Sequence, residues 1–331
     1  MRILMIGGTA FVGRHITEAA IEAGHEVTLF HRGETGDSLF PQATHLYGDR
    51  NTDLSALADG RWDATIDVCA YFPRQVRSLA AALGDRGGRH VYISSVSAYS
   101  PEVPFGYDES APLAEVNEPD AKTVTNENYG GLKVACERLA TELYGPDTTI
   151  VRPTYVIGPH DRTYRFTWWV DRIARGGNVL APGSPDDPIQ LIDARDMAVW
   201  IVGLLEQSVP GAFHAVSPAP PFSWRDMLAA ITATVGPDGT ELIWVPSDFL
   251  LAEGVTDAEL PLWPAGETEG ADMMNASPAA AFATGLDPRP LAETIADIYG
   301  EDRAAGSQRP GVGILPDREA ELLAAWAAKS D

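Results

Sequence analysis

Residues 3–13 read Ile3-Leu4-Met5-Ile6-Gly7-Gly8-Thr9-Ala10-Phe11-Val12-Gly13. The four apolar residues predict a short buried strand, and the pattern of apolar residues after the glycines predicts a helix from Gly13 to Ala23. Glycines between a strand and a helix allow a tight turn, which brings backbone N–H groups and the helix N-terminus close to an anionic group. Alanine at position 10, the middle of a Gly-x-x-Gly-x-x-Gly pattern, predicts a slightly wider turn. The stretch therefore predicts a strand–turn–helix unit that binds a dinucleotide.

The same alternation of strand and helix continues along the chain. Further buried strands are expected at Glu26–Phe30, Thr65–Cys69, His90–Ser94 and Thr149–Pro153, and helices at Val76–Leu83 and Tyr129–Leu143. Regular alternation of this kind is typical of a parallel sheet with helices on both faces. The predicted fold class is α/β, a Rossmann-type doubly wound parallel sheet with a smaller C-terminal substrate lobe.

The residues that follow the second strand bear on the choice of cofactor. They read Phe30-His31-Arg32-Gly33-Glu34, and an arginine in this place suits the 2′-phosphate of NADP, whereas an acid suits the ribose hydroxyls of NAD. A solvated loop role for Arg32 stays open, and Glu34 is close enough in sequence to reach a ribose. Asp49-Arg50 follows the next apolar stretch, where an acid reads the adenine amino group or caps the loop. We expect NADP to be preferred over NAD.

Tyr129-Gly130-Gly131-Leu132-Lys133 places a phenol and an ammonium four residues apart on one helix face. The free phenol has a pKa of about 10, and a nearby ammonium favours the phenolate. The chain has only three lysines, at positions 122, 133 and 329, against 21 arginines. The pair therefore predicts an acid–base unit. Ser94 and Ser95 end a predicted strand, where doubly wound sheets bind ligands, and Ser97 is a third candidate hydroxyl.

The overall charge limits the partners. Lys and Arg number 24 and Asp and Glu number 47, so the net charge is −23. Such a chain repels phosphate backbones and anionic membranes, so we expect neither nucleic acid nor membrane as a partner. Two cysteines, Cys69 and Cys136, give no zinc spacing, and no metal is expected. No signal-like segment precedes Ile3 and no apolar run reaches about 18 residues, so a cytoplasmic protein is expected.

Taken together, these features resemble the extended short-chain dehydrogenase/reductases, the NAD-dependent epimerase/dehydratase family. The matching segments are the Gly7–Gly13 turn, Ser94–Tyr99, Tyr129–Lys133, Val151–Pro159 and Gln190–Ala198. The resemblance covers essentially the whole chain and is strongest to a bacterial reductase-like branch. It implies Ser95, four residues before Tyr99, as the hydroxyl that positions substrate. It also implies Tyr129 as general acid–base and Lys133 as its partner.

The residue patterns and the resemblance together predict a set of cofactor-binding residues. They are Gly7, Thr9, Ala10, Phe11, Val12, Gly13, Arg32, Asp49, Arg50, Ala70, Ser94, Pro153 and Tyr155. Residues 1–158 are expected to form the NAD(P)-binding Rossmann domain, joined by a segment near 188–216 in which Gln190–Ile192 returns to the sheet. Residues 159–331 are expected to be mainly a substrate-binding lobe. The last helix is predicted at Asp317–Lys329.

Three functions stay open from the sequence. The first is NADPH-dependent reduction of a small-molecule carbonyl or imine through the Ser/Tyr/Lys set. The second is an NAD-dependent epimerase or dehydratase of nucleotide sugars, although Arg32 replaces the acid usual in those members, and only Arg162, Arg165 and Arg172 suggest a second diphosphate site. The third is a non-catalytic binding protein on the same fold. Relatives often dimerise through the helix that carries the tyrosine and lysine, so a homodimer is a further expectation.

Overall fold

The computed structural model describes residues 1–36, 38–265, 272–305 and 311–330. The chain divides into two compact units. The first comprises Met1–Val156, Ile192–Ser217 and Ala276–Pro288, and the second comprises Ile157–Leu191, Pro218–Asn275 and Arg289–Asp331. The segment Ala276–Pro288 was not expected in the first unit, because its short alanine-rich run carries no sign of where it packs.

The strands, in chain order, are β1 (Arg2–Ile6), β2 (Glu26–His31), β3 (Thr44–Tyr47), β4 (Ala64–Asp67), β5 (Arg89–Ile93), β6 (Thr149–Pro153), β7 (Tyr155–Ile157), β8 (Asn178–Pro182), β9 (Leu191–Asp193), β10 (Gly211–Ala215) and β11 (Glu241–Val245). Seven of them form the sheet of the first unit in the order β10–β6–β5–β4–β1–β2–β3, with every pair parallel. Strands β2 and β3 lie on one side of β1, and β4 and the later strands lie on its other side, so the order of the strands reverses at β1. This is the switch point at which doubly wound sheets bind ligands, beyond the carboxyl ends of the strands.

The helices, in chain order, are α1 (Phe11–Glu22), α2 (Pro73–Leu83), α3 (Asn126–Tyr144), α4 (Arg165–Ala174), α5 (Ala194–Gln207), α6 (Trp224–Val235), α7 (Ser247–Ala252), α8 (Ala279–Ala283), α9 (Leu291–Ala305) and α10 (Pro316–Ser330). Short 3₁₀ helices lie at Ser55–Leu57, Gly84–Arg86, Val96–Ala98 and Asp272–Asn275. The strands of the central sheet are mostly buried, as expected when helices cover a parallel sheet, except for the edge strand β3, whose residues are exposed or half-buried. The predicted fold class is confirmed.

Local sequence explains where the two helices nearest the site begin. Helix α3 starts with a capping box, in which Thr125 Oγ1 accepts from the backbone N–H of Asn128 and Asn128 Oδ1 accepts from that of Thr125. Helix α2 starts at Pro73, and Gln75 Oε1 accepts from the backbone N–H groups of Tyr71 and Phe72. Tyr129 is therefore held one turn into a capped helix.

Two expectations for the sheet differ from what is observed. The strand expected at Thr65–Cys69 ends at Asp67, whose carboxylate accepts from the backbone N–H of Cys69. Gln190–Ile192, expected to return to the sheet, overlaps β9, which lies outside the seven-stranded sheet; the strand that pairs with β6 at one edge of that sheet is β10. An apolar run alone does not say which sheet a strand joins.

The second unit has its own core. Strands β8 and β11 pair in parallel, and Trp169 is fully buried, donates from Nε1 to the carbonyl of Pro261 and packs edge-to-face on Trp224. Arg172 is buried against Glu319, with Nε 2.6 Å from Oε2. In the part of the chain that the structure describes, no helix combines the length and the apolar character needed to cross a bilayer.

Candidate active site

The glycine turn after β1 is tight. Gly7 has φ +90°, and a Cβ atom at Gly13 would lie 2.0 Å from the carbonyl oxygen of Gly7. Only glycine fits at position 13, since a methyl group would push the first turn of α1 away from the strand. Helix α1 begins at Phe11, two residues earlier than expected, and Ala10 precedes it without a side-chain cap. Its first backbone N–H groups are thus left for another acceptor.

A pocket of about 340 Å³ lies against this turn. Six of the predicted cofactor residues line it, namely Gly7, Thr9, Ala10, Arg32, Asp49 and Arg50. Phe11, Val12 and Gly13 do not line the pocket but form the first turn of α1 beside it. Glu34, considered as a ribose contact, also lines it, and nine further lining residues were not predicted from the sequence: Ile6, Phe30, His31, Gly33, Thr35, Gly48, Asn51, Cys69 and Gln75.

Arg32 and Glu34 form an ion pair at the mouth of this pocket. Nη2 of Arg32 lies 2.9 Å from Oε2 of Glu34, and both side chains are 61% exposed. An exposed pair of this kind contributes only about 0–1 kcal/mol. An incoming phosphate group can therefore replace Glu34 as the partner of Arg32 at little cost.

Asp49 acts as a cap for its own loop. Its Oδ1 accepts from the backbone N–H of Asn51 at 2.8 Å and from the side-chain amide of Asn51 at 3.0 Å. This is the capping role, one of the two left open by the sequence. Recognition of an adenine amino group by Asp49 stays a prediction.

Arg50 makes a buried ion pair that the sequence analysis did not foresee. Its Nη1 and Nη2 lie 2.6 Å and 2.8 Å from the two carboxylate oxygens of Asp67, and Nη1 also contacts Cys69 Sγ at 3.2 Å. Arg50 is 8% exposed and Asp67 0%. Burial opposes ionisation of Asp67, but the charge and hydrogen bonds of Arg50 outweigh it and hold the pKa of Asp67 below its usual value. A carboxylate inside an apolar strand needs a charged or hydrogen-bonding partner. The presence of Asp67 in a predicted buried strand was therefore the feature of the sequence that indicated such a pair.

Lys133 is buried beside three aromatic rings. It is 3% exposed, and Nζ donates to the carbonyls of Ile93 at 2.9 Å and Ala70 at 3.2 Å. Nζ lies 5.9 Å from the ring centre of Tyr129 and 5.0 Å from that of Tyr71. Burial lowers the pKa of Lys133 to about 8. Ala70, predicted to contact the cofactor, thus serves in this structure as an acceptor for Lys133.

The turn that carries Ser95 packs directly on the helix that carries Tyr129. A Cβ atom at Gly130 would lie 2.1 Å from the carbonyl oxygen of Ser97, so glycine at this position lets α3 approach the serine turn. Ser95 Oγ accepts from the backbone N–H of Ser97 and donates to its hydroxyl, both at 3.1 Å. The predicted catalytic serine and the Tyr129 helix are therefore neighbours, and Gly130 is the reason.

Two buried hydroxyls mark the carboxyl ends of β5 and β6. Among the described residues, Ser94 Oγ and Thr154 Oγ1 have no hydrogen-bond partner. Native proteins rarely leave buried hydroxyls unpaired, so these two atoms fit a site that receives a polar ligand group. Pro153, the last residue of β6, is buried, and Tyr155, the first residue of β7, is half-buried. Ser94, Pro153 and Tyr155 do not line the 340 Å³ pocket.

A buried polar network behind the site was also missed. Arg152 on β6 donates from Nε and Nη2 to the carboxylate of Glu137 on α3 and from Nη1 to the hydroxyl of Tyr99. The same hydroxyl meets His214 Nε2 at 2.6 Å. The network ties α3, the end of the serine turn and two strands together, which fixes the helix that carries Lys133 against the sheet.

The lowered pKa of Lys133 predicts a specific pH dependence of stability. Between about pH 8 and 10.5 the unfolded chain holds a proton that the folded chain has released, so the free energy of unfolding rises with pH in this window. The expected rise is on the order of 3 kcal/mol. Urea unfolding of the wild type and of Lys133→Met across this range measures it, with exposed Lys122→Met as the control. A constant difference between wild type and Lys133→Met over the window contradicts the expectation.

The sequence of this chain is similar to those of known proteins. Residues 3–215 match the model of the NAD dependent epimerase/dehydratase family. Chloroplast stem-loop binding protein of 41 kDa b from Arabidopsis thaliana is 27% identical over 220 residues, which is 62% of this chain and 55% of the relative's length. The dTDP-4-keto-6-deoxy-D-glucose reductase of Streptomyces niveus is 28% identical over 175 residues, 52% of this chain and again 55% of the relative.

Solved structures share the fold. A putative epimerase from Burkholderia cenocepacia J2315 superposes with a TM-score of 0.70 and 23% identity, covering 92% of this chain and 98% of that one. At this identity the likeness shows the fold alone. The family model spans more than half of the chain and includes the glycine turn, the serine turn and the Tyr129–Lys133 pair. This chain belongs to the NAD-dependent epimerase/dehydratase family.

Proposed function

We propose that this protein is an NADPH-dependent reductase of carbonyl or imine groups in small molecules, acting through Ser95, Tyr129 and Lys133. The observation that carries the proposal is Lys133. A lysine buried to 3% exposure and placed against the ring of Tyr129 costs stability, and such a cost is typical of functional sites. The serine turn packed on the same helix supplies a hydroxyl beside the pair.

Each residue has a chemical task. Tyr129 donates the proton to the substrate oxygen or nitrogen as the carbon is reduced. Lys133, whose pKa is about 8, is mostly charged at neutral pH and stabilises the phenolate that Tyr129 becomes. Ser95 donates a hydrogen bond to the reacting oxygen and orients it. A bound nicotinamide would supply a hydride, two electrons together with one hydrogen, to the substrate carbon, and the protein supplies alignment and the proton.

The preference for NADPH rests on Arg32 and is directly testable. Arg32→Ala should weaken NADPH about tenfold and leave NADH almost unchanged, because only NADPH offers a 2′-phosphate. Glu34→Gln should tighten NADPH, since it frees Arg32 from its present partner. Fluorescence titration of both variants with both cofactors measures the two effects. Equal losses of NADPH and NADH affinity in Arg32→Ala would mean that Arg32 does not determine the preference for NADPH.

The reductase is favoured over the nucleotide-sugar epimerase by the position of Arg172. One of the three arginines that suggested a second diphosphate site, Arg172 is buried and donates to Glu319 and to the carbonyls of Gly176 and Asn178. Incubation with NADPH and a panel of ketones, aldehydes and imines tests the proposal. Stoichiometric consumption of NADPH with a reduced product supports it. Bound NAD that is retained through purification, with epimerised nucleotide sugar seen by NMR, overturns it in favour of the epimerase.

A non-catalytic role is addressed by one further assay. The Arabidopsis relative is named for stem-loop binding. The net charge of −23 opposes binding of an RNA backbone to this chain. Filter binding of a stem-loop RNA at low salt is expected to show no retention. Tight retention of the RNA would favour a non-catalytic binding protein over the reductase.

A further inference from the structure

The ammonium group of Lys133 lies among three aromatic rings. Its Nζ atom is 5.0 Å from the ring centres of Tyr71 and Tyr92 and 5.9 Å from that of Tyr129. Tyr92 is fully buried, whereas Tyr71 is 43% exposed and Tyr129 is half-buried. Lys133 itself is only 3% exposed. The ring of Tyr71 therefore covers the ammonium group on a side that faces solvent.

The backbone on either side of the Tyr71 ring is fixed. The N–H group of Tyr71 donates to Oε1 of Gln75, in the first turn of α2, at 2.8 Å. The carbonyl of Ala70, the preceding residue, accepts from Lys133 Nζ at 3.2 Å and from the hydroxyl of Tyr92 at 2.9 Å. Tyr71 thus extends from a backbone segment that is itself bonded to the ammonium group, which holds its ring over Lys133.

Two carboxylates face Lys133 from the elements packed around it, and each has a cationic partner of its own. Asp67 at the end of β4 is paired with buried Arg50. Glu137 on α3 is paired with buried Arg152. Since both negative charges are already compensated, they offset only part of the cost of burying the ammonium group.

The thiols and phenols that face Lys133 carry no charge near neutral pH. Burial raises the pKa of Cys69, and it raises the pKa of Cys136 to about 11. Burial likewise raises the pKa values of Tyr71 and Tyr92 above the usual value of a phenol. With these four groups neutral, the exclusion of water dominates and lowers the pKa of Lys133 to about 8.

We propose that Tyr71 is a positioning residue whose ring keeps water away from the ammonium group of Lys133. Tyr71 acts through the lysine, and its ring performs the task, so its hydroxyl group is dispensable. The inference rests on the proposed reductase function, in which the charge of Lys133 stabilises the phenolate of Tyr129. It adds that a residue of the loop between β4 and α2 sets the pH range in which Lys133 keeps that charge.

Titration of the lysines by NMR tests this role without requiring turnover. The chain has three lysines, so protein labelled with ¹³C at lysine Cε gives three resonances, and Lys133→Met assigns that of Lys133. In Tyr71→Ala, water reaches the ammonium group and solvates it more strongly than a ring does, so the pKa of Lys133 should rise by at least about one unit. Tyr71→Phe keeps the ring and should keep the wild-type titration.

Two controls separate this effect from a general change of the fold. The resonances of exposed Lys122 and Lys329 should titrate alike in every variant. Tyr47→Ala removes a tyrosine ring that is 53% exposed on β3, and it should leave the titration of Lys133 unchanged. If Tyr71→Ala does not fold, Tyr71→Gln takes its place, because a polar side chain also admits water beside the lysine.

The reductase reaction gives a second measure of the same quantity. Turnover of the wild type should fall as the pH rises past about 8, where Lys133 loses its charge. In Tyr71→Ala this fall should move to higher pH by the interval seen in the NMR titration, and in Tyr71→Phe it should stay in place. A purely structural role of Tyr71 would lower turnover at every pH and leave the shape of the profile unchanged.

The outcomes distinguish this proposal from the reductase function. An unchanged titration of Lys133 in Tyr71→Ala overturns the proposal and leaves the reductase standing. The same holds for an equal shift in Tyr71→Phe, because the hydroxyl group and not the ring would then be responsible. A shift confined to Tyr71→Ala, in a protein that reduces no substrate, supports the exclusion of water by Tyr71 and overturns the reductase.

Discussion

Replacing Tyr129 by phenylalanine is expected to lower the rate of carbonyl reduction roughly a hundred- to ten-thousandfold. The phenol is the proposed proton donor, and phenylalanine keeps the ring that lies 5.9 Å from Lys133 Nζ while it removes the proton. Cofactor binding should be unchanged, because Tyr129 does not line the 340 Å³ pocket at the glycine turn. Steady-state consumption of NADPH and a fluorescence titration with NADPH measure the two quantities separately.

The chain offers a matched control in Tyr71. Its ring centre lies 6.5 Å from that of Tyr129 and 5.0 Å from Lys133 Nζ, which is closer to the lysine than Tyr129 is. Tyr71→Phe removes the same hydroxyl group from the neighbouring ring and should leave most of the turnover. Loss of activity in Tyr71→Phe with normal turnover in Tyr129→Phe would transfer the acid–base role to Tyr71.

The sequence predicts the fold well because the fold depends on local patterns. Strand β1, the glycine turn and helix α1 are adjacent in the chain, and apolar periodicity and turn chemistry decide their conformation within about twenty residues. The place of β9 outside the large sheet depends on which distant strand it meets, and nothing within Gln190–Ile192 encodes that choice. The packing of Ala276–Pro288 with the first unit has the same origin.

In the candidate site, too, the features that depend on local sequence are predicted and those that depend on distant contacts are not. Tyr129 and Lys133 are four residues apart on one helix, so their proximity follows from helix geometry. The pair formed by Arg50 and Asp67 joins the ends of β3 and β4, and neither residue predicts the other by spacing. Gly130 and Gly131 lie between Tyr129 and Lys133, but the sequence alone does not explain why glycine occurs at these positions. Their role depends on tertiary contacts, because a Cβ atom at Gly130 would lie 2.1 Å from the carbonyl oxygen of Ser97 and one at Gly131 would lie 2.5 Å from that of Glu115.

Replacing Asp67 by asparagine is expected to destabilise the protein by about 3–5 kcal/mol at neutral pH, because it leaves the Arg50 charge buried and unpaired. The pKa of folded Asp67 lies below its unfolded value of 3.8, so the ion pair stabilises the fold above that pH. As the pH falls below 3.8 towards the folded pKa, the unfolded state gains a proton that the folded state lacks. The difference between wild type and Asp67→Asn should shrink there.

Urea unfolding from neutral pH down to acidic pH measures this difference, with two comparisons that separate charge from geometry. Asp85→Asn breaks an ion pair with Arg61 in which both side chains are mostly exposed, and it should change stability little. Arg50→Met/Asp67→Asn removes both buried charges and should recover much of the loss, because no unpaired ion is left in the interior. A double variant as unstable as Asp67→Asn would mean that the lost stability comes from shape and hydrogen bonding at this site. The buried charge of Arg50 would then not be its cause.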